Sequence, residues 1–336
     1  MAFFSGTNIF VGTVAAFIAA VYLNYPAPEL SPSLARWKQN GNYFDYKEIK
    51  IFYREETSPV TKNLSPLVCL HGFPTSGYDW HKMFPELTEK FGRVIAMDFI
   101  GYGFSDKPVD HDYSIMEQAD IIEALLNKLG VTKVHVLAHD YGDTVAQELL
   151  ARFEDRKASG SSQGLHIETV CLLNGGIFPE TNFPRIGQKA LLIPGVGAVL
   201  GRLMFYRAFK RSFGEVLGKN SQTTEEEFQD FWAAIRYNNG NAINHKLLQY
   251  IPERRQNRGR WVGVLQTTSV PVHVIYGPDD PVNPQEFVEY YNVAIPNPSI
   301  IILGGGIGHY PQTEAPRDVT FFYFNFIDEQ IQVKPS

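Results

Sequence analysis

Cysteine and positive charge are both scarce in this sequence. Two cysteines, Cys69 and Cys171, occur in 336 residues, so a framework of disulfides is excluded. Each lies in an apolar run, where a buried free thiol is expected. Lys and Arg number 30 against 36 Asp and Glu, and the net charge of -6 provides no basic excess to neutralise phosphates. Nucleic-acid binding is therefore disfavoured as the main activity, and binding of a small molecule is favoured.

Charged side chains are absent before Glu29. The stretch from Ile9 to Leu23 (IFVGTVAAFIAAVYL) is almost wholly apolar, and it lacks the preceding Lys or Arg of a cleaved signal peptide. We therefore predict that residues 1–28 form a single uncleaved membrane anchor and that 29–42 form a linker. A signal peptide and a buried core helix remain alternatives. Basic residues after the anchor favour a cytoplasmic position for the following domain, although the side of the membrane stays undecided.

From Tyr46 onward, short β-branched and aromatic runs alternate with helical patterns. This alternation is typical of a mostly parallel sheet that helices cover on both faces. Between Ser114 and Gly130, apolar residues recur at intervals of three or four, which predicts an amphipathic helix. The predicted strands are EIKIFYR, PLVCLHG, RVIAMD, KVHVLAH, ETVCLLN, PVHVIYG and SIIIL.

The alternation stops between Phe178 and about Leu265, where aromatic and basic residues mix with helical stretches such as TTEEEFQDFWAAIRYN. We predict an inserted helical cap over 178–265. The sheet domain then consists of two parts, 43–177 and 266–336. An α/β fold with such an inserted subdomain accounts for this chain length as one unit.

The run KVHVLAHDYGDTVAQELL predicts a strand, a sharp turn and a helix, with Asp140 at the turn. Ala138 and Gly142 flank it and are small enough for the strand and the helix to approach closely. The pattern is typical of a nucleophile elbow, in which Ser is the usual occupant. A carboxylate in that place attacks a saturated carbon bearing a leaving group and forms an alkyl ester, which disfavours simple esterase chemistry. The alternative is that Asp140 only caps the following helix.

The motif HGFP, residues 71–74, follows an apolar strand. In proteins with such an elbow, the loop after this strand donates a backbone N–H to an oxyanion. The amide of Phe73 is the predicted first donor, and the amide of Tyr141 is the predicted second donor. For His71, an alternative role is to satisfy buried backbone groups.

Two later loops supply an acid and a histidine. VIYGPDDPVNP ends a strand with two adjacent carboxylates, and GIGHYPQTEAP places His309 in a Gly-rich loop. The chain order Asp140, Asp280, His309 fits nucleophile, acid and base. Asp280 is preferred because it immediately precedes Pro281, and Asp279 is the fallback. Taken singly, an acid that forms a turn and a histidine in a loop are ordinary features.

Several runs together resemble the epoxide-hydrolase and haloalkane-dehalogenase branch of the α/β hydrolases, from about Tyr43 to the carboxyl end. They are HGFPTSGYDW, MDFIGYGFSDKP, LAHDYGD, YGPDDPVNP and GHYPQTEAP. The resemblance implies an α/β-hydrolase fold with Asp140 as nucleophile, Asp280 as orienting acid and His309 as base. It implies neither a cofactor nor a bound metal.

Two positions depart from the dehalogenase pattern. The Trp that commonly follows the nucleophile is Tyr141 here, so a halide-binding Trp is missing. Phe73 stands where many dehalogenases have Asn. An epoxide-hydrolase-like activity is therefore the favoured expectation. Three further runs, NGGIFPET, WAAIRYNNGN and GRWVG, resemble a membrane-associated group of this superfamily and imply association with the endoplasmic reticulum membrane.

These features predict a membrane-associated hydrolase that forms an alkyl-enzyme ester on Asp140 and acts on a small apolar or lipid-like substrate. Opening an epoxide also needs an acid, which cap tyrosines supply in this branch. The candidates are Tyr206, Tyr237 and Tyr250, with packing as the alternative role of each. Two other functions remain alternatives: a non-catalytic, membrane-tethered interaction protein on the same fold, and a lipase or acyltransferase that acts on membrane lipids.

Overall fold

A twisted sheet of eight strands forms the centre of the protein. The computed structural model describes residues 6–23, 25–60 and 64–333. The strands, β1 to β8, are Asn42–Tyr46, Ile49–Thr57, Leu67–Leu70, Arg93–Met97, Lys133–His139, His166–Leu173, Val272–Tyr276 and Ile300–Ile302. Their order across the sheet is β1-β2-β4-β3-β5-β6-β7-β8. Strands β1 and β2 pair antiparallel, β2 and β4 do the same, and all the other pairs are parallel. The predicted α/β-hydrolase fold with a mostly parallel sheet is confirmed.

The parallel strands are apolar on both faces because helices cover both sides of the sheet. In β3 all residues are buried. Val68 and Leu70 belong to the hydrophobic core on one face, whereas Leu67 and Cys69 belong to the core on the other. This alternation follows the two-residue period of a strand. Cys69 and Cys171 are buried free thiols, as expected.

Eight helices lie outside the cap segment in the described residues. They are α1 Gly6–Leu23, α2 Pro32–Gln39, α3 Phe84–Phe91, α4 Ile115–Lys128, α5 Tyr141–Ala158, α13 Glu286–Ala294, α14 Pro311–Glu314 and α15 Pro316–Val333. The amphipathic helix predicted between Ser114 and Gly130 is α4. The Ser114 hydroxyl accepts a hydrogen bond from the amide of Glu117, which caps the helix, and Gly130 ends it with a positive φ of 69°.

Seven helices occupy the chain between β6 and β7, where the cap is predicted. They are α6 Ile186–Leu191, α7 Val196–Leu203, α8 Tyr206–Gly214, α9 Glu225–Arg236, α10 Asn244–Leu247, α11 Tyr250–Gln256 and α12 Arg258–Thr267. Helix α12 packs against α5, where the Gln147 side chain donates to the Trp261 carbonyl and the Trp261 indole donates to Glu148. The last helix of the insertion therefore covers the sheet, while the earlier ones form the cap. The boundaries 178 and 265 stay predictions.

The amino-terminal segment differs from its prediction as a spanning anchor. Of residues 1–28, positions 1–5 and 24 lie outside the described residues, and α1 contains 18 residues. In the part of the chain that the structure describes, no helix is both long enough and apolar enough to cross a membrane. The predicted transmembrane anchor is therefore not supported, and the endoplasmic reticulum location stays a prediction.

The predicted linker, 29–42, contains α2. Its Leu34 and Trp37 are buried, and the Trp37 ring packs edge-on against Tyr78 and Phe84. This segment is therefore attached to the sheet domain by aromatic packing.

Candidate active site

Asp140 lies at a sharp turn between β5 and α5. Its φ is 45°, a value in the left-handed region that non-glycine residues rarely adopt. Such a conformation costs about 1–3 kcal/mol and persists only where the surrounding structure enforces it. The strand, turn and helix predicted around Asp140 are present, and the carboxylate sits at the carboxyl edge of the sheet.

Gly142 allows strand and helix to approach at this turn. A Cβ added there would lie 2.4 Å from the carbonyl oxygen of Leu70 and 2.9 Å from that of His71. Real Cβ atoms do not come that close to backbone, so any larger residue must push α5 away from β3. A glycine is therefore the only residue that fits at position 142 without moving the helix.

A Gly142→Ala variant is expected to lose about 1–3 kcal/mol of unfolding free energy, because the added methyl overpacks the elbow. Urea denaturation followed by circular dichroism measures this loss. Gly130→Ala is not a matched control because that glycine has positive φ. Gly263→Ala in α12 is better suited, since an added Cβ there would meet no atom within 4 Å. Equal stability of Gly142→Ala and the parent protein would contradict the tight elbow.

Asp280 and His309 come from the loops after β7 and β8. Because these strands run parallel to β5, their carboxyl ends meet at the same edge of the sheet as Asp140. His309 Nδ1 lies 2.8 Å from Asp280 Oδ2. The adjacent acid, Asp279, is exposed. Of the two acids, the structure brings Asp280 to the histidine.

Three further donors fix the Asp280 carboxylate. The amides of Asn174 and Asn283 donate to Oδ2 at 3.0 and 3.2 Å, and the backbone amide of Val282 donates to Oδ1 at 2.7 Å. Because both carboxylate oxygens accept hydrogen bonds, the Asp280 side chain is held in one orientation toward the imidazole of His309. The two asparagines are supporting residues that the sequence patterns did not indicate.

The other imidazole nitrogen of His309 faces Asp140. The distance from Nε2 to Asp140 Oδ2 is 3.9 Å, which is an ion-pair contact and too long for a hydrogen bond. Burial disfavours the charged imidazole, but the charges of Asp280 and Asp140 outweigh it and raise the pKa of His309 to about 10. Burial also disfavours the Asp140 carboxylate, but His309 and then Arg254 hold the pKa of Asp140 well below its ordinary value. Asp140 is therefore ionised, and His309 is an imidazolium at neutral pH.

The predicted oxyanion loop lies against Asp140. The backbone amide of Phe73 donates to Asp140 Oδ2 at 3.2 Å, and Tyr141 is the first residue of α5. His71 is buried beneath this loop, where its Nε2 accepts from the amide of Phe99 and its Nδ1 donates to the Gly72 carbonyl. Burial lowers the pKa of His71 to about 3, which agrees with this neutral tautomer. His71 thus has the structural role given as its alternative.

Two side chains that sequence reasoning missed connect the loops around the site. His139 Nε2 lies 2.8 Å from the carbonyl oxygen of His309, and the Tyr310 hydroxyl donates to the carbonyl of Phe73 at 2.6 Å. The His309 loop is therefore bound both to the end of β5 and to the oxyanion loop.

The three candidate cap tyrosines occupy different places. Tyr250 is 2% exposed, and its ring centroid lies 5.0 Å from that of Tyr141 and 6.3 Å from that of Phe73. The hydroxyl of Tyr206 donates to Glu225 at the surface, and that of Tyr237 accepts from Lys38. Tyr206 and Tyr237 are thus engaged elsewhere and do not fit the role of the acid. Tyr250 is the one of the three that lies at the site.

Arg254 of α11 is a further residue at Asp140 that the sequence did not reveal. Its guanidinium is 3% exposed and donates to the backbone carbonyl of Asp140 at 2.8 Å and to Thr144 Oγ1 at 2.7 Å. Its Nη2, which donates to the Asp140 carbonyl, also lies 3.4 Å from Asp140 Oδ1. A cap helix therefore contributes a buried positive charge to the elbow.

A cavity of about 350 Å³ lies between the sheet and the cap. Phe73 and His309, which flank the Asp140 carboxylate, form part of its wall, while Asp140 is 3% exposed. The rest of the wall is mainly apolar and comes from the cap, including Leu191, Leu200, Leu203, Met204, Phe205, Phe209 and Phe213. Among the described residues no group of three or more His, Cys, Asp or Glu is arranged to hold a metal ion.

The elbow, the acid and histidine loops, and the sheet order define an α/β-hydrolase-fold protein. In agreement, residues 65–171 match the family model described as "alpha/beta hydrolase fold". The mesoderm-specific transcript homolog proteins of Bos taurus and Homo sapiens are each 48% identical to this chain over 95% of both lengths. The chain belongs to the mesoderm-specific transcript family. A Mycobacterium tuberculosis protein provisionally named hydrolase LipZ is 34% identical over 85% of this chain and 95% of its own.

Solved structures agree with this fold. Haloalkane dehalogenase DbeA from Bradyrhizobium elkanii USDA94 superposes with a TM-score of 0.71 at 22% identity, over 88% of this chain and 99% of that chain. At this identity the superposition bears on the fold alone.

Proposed function

We propose that this protein is a hydrolase in which Asp140 attacks an electrophilic carbon and His309 then directs water onto the resulting ester, as in epoxide hydrolases. The observation that carries the proposal is the setting of the Asp140 carboxylate. It is buried and ionised, its Oδ2 accepts from the Phe73 amide, and it faces a histidine that Asp280 orients. A residue that only capped α5 would need none of these partners, and Asp140 makes no side-chain cap hydrogen bond.

In the first step, a carboxylate oxygen of Asp140 forms a bond to one epoxide carbon while the bond from that carbon to the ring oxygen breaks. The product is an alkyl ester on Asp140, and the freed oxygen takes a proton. Tyr250 is the proposed donor. Burial, reinforced by the charge of Asp140, raises the pKa of Tyr250 above its ordinary value, so the hydroxyl holds its proton at neutral pH.

In the second step, His309 accepts a proton from water, and the water oxygen attacks the carbonyl carbon of the ester. The free enzyme holds His309 as an imidazolium, partly because of the Asp140 charge. Esterification removes that charge, so the pKa of His309 falls and the imidazolium releases its proton, which restores the Tyr250 hydroxyl. The neutral imidazole is then available as the base. The amides of Phe73 and Tyr141 stabilise the oxyanion, at about 3 kcal/mol per donor. Collapse of this intermediate breaks the bond to the alkyl oxygen, which takes the proton from His309 and leaves as the diol. The second proton of the water then passes from Asp140 to His309, and this regenerates the carboxylate and the imidazolium.

The apolar wall of the cavity supports a small apolar or lipid-like substrate, and a volume of about 350 Å³ suits a compact molecule. Association with a membrane is consistent with such a substrate.

The test is intact-mass analysis of a His309→Gln variant incubated with a library of epoxides. Without its base, the variant is expected to stop at the ester and to gain the full mass of one epoxide, because ring opening expels no atoms. Peptide mapping should place the adduct on Asp140. A His309→Gln, Asp140→Asn double variant serves as the control and should stay unmodified. Unmodified protein with every epoxide would favour the non-catalytic alternative.

A Tyr250→Phe variant is expected to slow epoxide opening by about 10²–10⁴-fold, because it loses the acid for the departing oxygen. Tyr237→Phe is the matched control, since its hydroxyl binds Lys38 away from the site. Single-turnover kinetics separate ester formation from ester hydrolysis, and only the first rate should change. Equal slowing of both steps, or no slowing, would show that Tyr250 serves in packing.

A further inference from the structure

Helix α7 of the cap presents its apolar side to the outside. Val196, Val199, Leu200 and Leu203 are spaced three and four residues apart and therefore share one helix face. Their exposed fractions lie between 40% and 56%. Leu200 and Leu203 also form part of the wall of the apolar cavity near His309, whereas Val196 and Val199 do not line it. In a surface helix of a water-facing protein this stripe normally faces the core. Its exposure here is unusual and indicates a covering partner.

On its other side, α7 has two glycines, Gly197 and Gly201, through which it packs against the rest of the cap. A Cβ on Gly197 would lie 1.9 Å from the carbonyl oxygen of Leu191, and one on Gly201 would lie 2.7 Å from that of Asn241. Both glycines are buried. Because the backbone of α7 is pressed against its neighbours on this side, rotation of the helix cannot bury the apolar stripe.

A second apolar helix lies beside the first. Helix α1 contacts α7, and its Phe10 and Phe17 are each 69% exposed. Tyr25, just beyond α1, is held by a hydrogen bond from Arg236 to its carbonyl. We call the exposed sides of α1 and α7 the α1–α7 face.

Basic residues are concentrated in the chain segment that contains α7. The segment between Glu180 and Glu215 contains six Lys or Arg and no Asp or Glu. Arg185 and Arg211 pair with Glu215, and Lys210 pairs with Glu225, which neutralises part of this charge. The remaining basic residues of the segment are Lys189, Arg202 and Arg207.

A groove of about 910 Å³ borders α7 and contains arginines without acidic residues. Arg202, Arg207 and Arg236 line it, and no Asp or Glu is among the described residues of its wall. Met204 and Phe205 lie in the walls of both this groove and the apolar cavity near His309. The basic groove, the apolar stripe and the candidate active-site cavity therefore adjoin.

We infer that the α1–α7 face docks on the surface of an anionic phospholipid bilayer, with the apolar stripe among the acyl chains and lipid phosphates at the arginine groove. An apolar helix face beside a cluster of basic residues is the combination that interfacial membrane binding uses. A protein partner or a second copy of this chain would not need the arginines to adjoin the stripe. This docking goes beyond the proposed function and does not depend on the chemistry of Asp140.

The test is flotation of the full-length protein with vesicles of phosphatidylcholine, with or without phosphatidylserine. Binding is expected with phosphatidylserine and should weaken at high salt. Val199→Glu should reduce it by about tenfold or more, because it places a charge among acyl chains. Arg202→Gln with Arg207→Gln should also reduce it by about tenfold or more. Val293→Glu is the matched control, since Val293 on α13 is 89% exposed and lies outside this face.

Circular dichroism should show that the variants are folded, since their positions are exposed. Equal binding of Val199→Glu and Val293→Glu would overturn the inference. A dimer of the parent protein that Val199→Glu dissociates, without vesicle binding, would also overturn it and assign the face to a second copy. Trapping of the ester on Asp140 is scored separately, so failure of docking and failure of the proposed chemistry are distinguishable.

Discussion

An Asp140→Asn variant is expected to lose about 10⁴-fold or more of its turnover and to form no covalent adduct. The amide has nearly the shape of the carboxylate, so the contact with the Phe73 amide and the fold should persist. What disappears is the negative charge that makes the side chain a nucleophile. The change therefore separates chemistry from structure.

The measurement is the rate of diol formation with an epoxide that labels the His309→Gln variant. Asp279→Asn is the matched control because Asp279 is exposed and stands beside Asp280 without facing His309. The control should retain full turnover. Comparable turnover of Asp140→Asn and the parent protein would show that another group performs the reaction.

An Arg254→Met variant is expected to lose about 3–5 kcal/mol of unfolding free energy, which is the usual cost of removing one partner of a buried ion pair. The guanidinium donates to the Asp140 carbonyl and to Thr144, and both acceptors would remain buried without this partner. Because Arg254 belongs to α11, the variant also weakens the attachment of the cap to the elbow.

Urea denaturation of Arg254→Met and Arg255→Met tests this expectation. Arg255 is the next residue on the same helix and is exposed, so its replacement should change stability by less than about 0.5 kcal/mol. If both variants lost the same small amount of unfolding free energy, the contact between Arg254 and the elbow would not contribute to stability.

The sheet was predictable wherever a strand is buried on both faces. Strands β3 to β7 are mostly buried and correspond to continuous apolar runs. The more exposed β2 and β8 were located by the β-branched and aromatic residues of EIKIFYR and SIIIL. Strand β1 (NYFDY) was not predicted, since it lies at the edge and carries polar residues. Its turn to β2 uses Lys47 and Glu48 with positive φ, without the Asn or Gly that normally marks such a turn.

The positions of Asp140, Asp280 and His309 were predictable because chain order and strand ends place them at one edge of the sheet. Their partners were not, because contacts between distant segments have no local pattern. Arg254 lies in the run RRQNRGR, and no local sequence pattern distinguishes it from the three other arginines of that run. No local sequence pattern separates Tyr250 from Tyr206 and Tyr237, and only packing in the folded protein distinguishes them. For the amino-terminal segment, composition predicts a membrane-spanning helix, whereas no helix among the described residues is both long enough and apolar enough to cross a membrane.

The central claim is that the substrate is held for a time as an ester of Asp140. A single turnover in water enriched in heavy oxygen tests it most directly. The account predicts that the peptide containing Asp140 gains one heavy oxygen and that the first diol released contains none, because water attacks the carbonyl carbon of the ester. Heavy oxygen in that first diol, with an unlabelled Asp140 peptide, would mean that water attacks the substrate itself and would contradict the account.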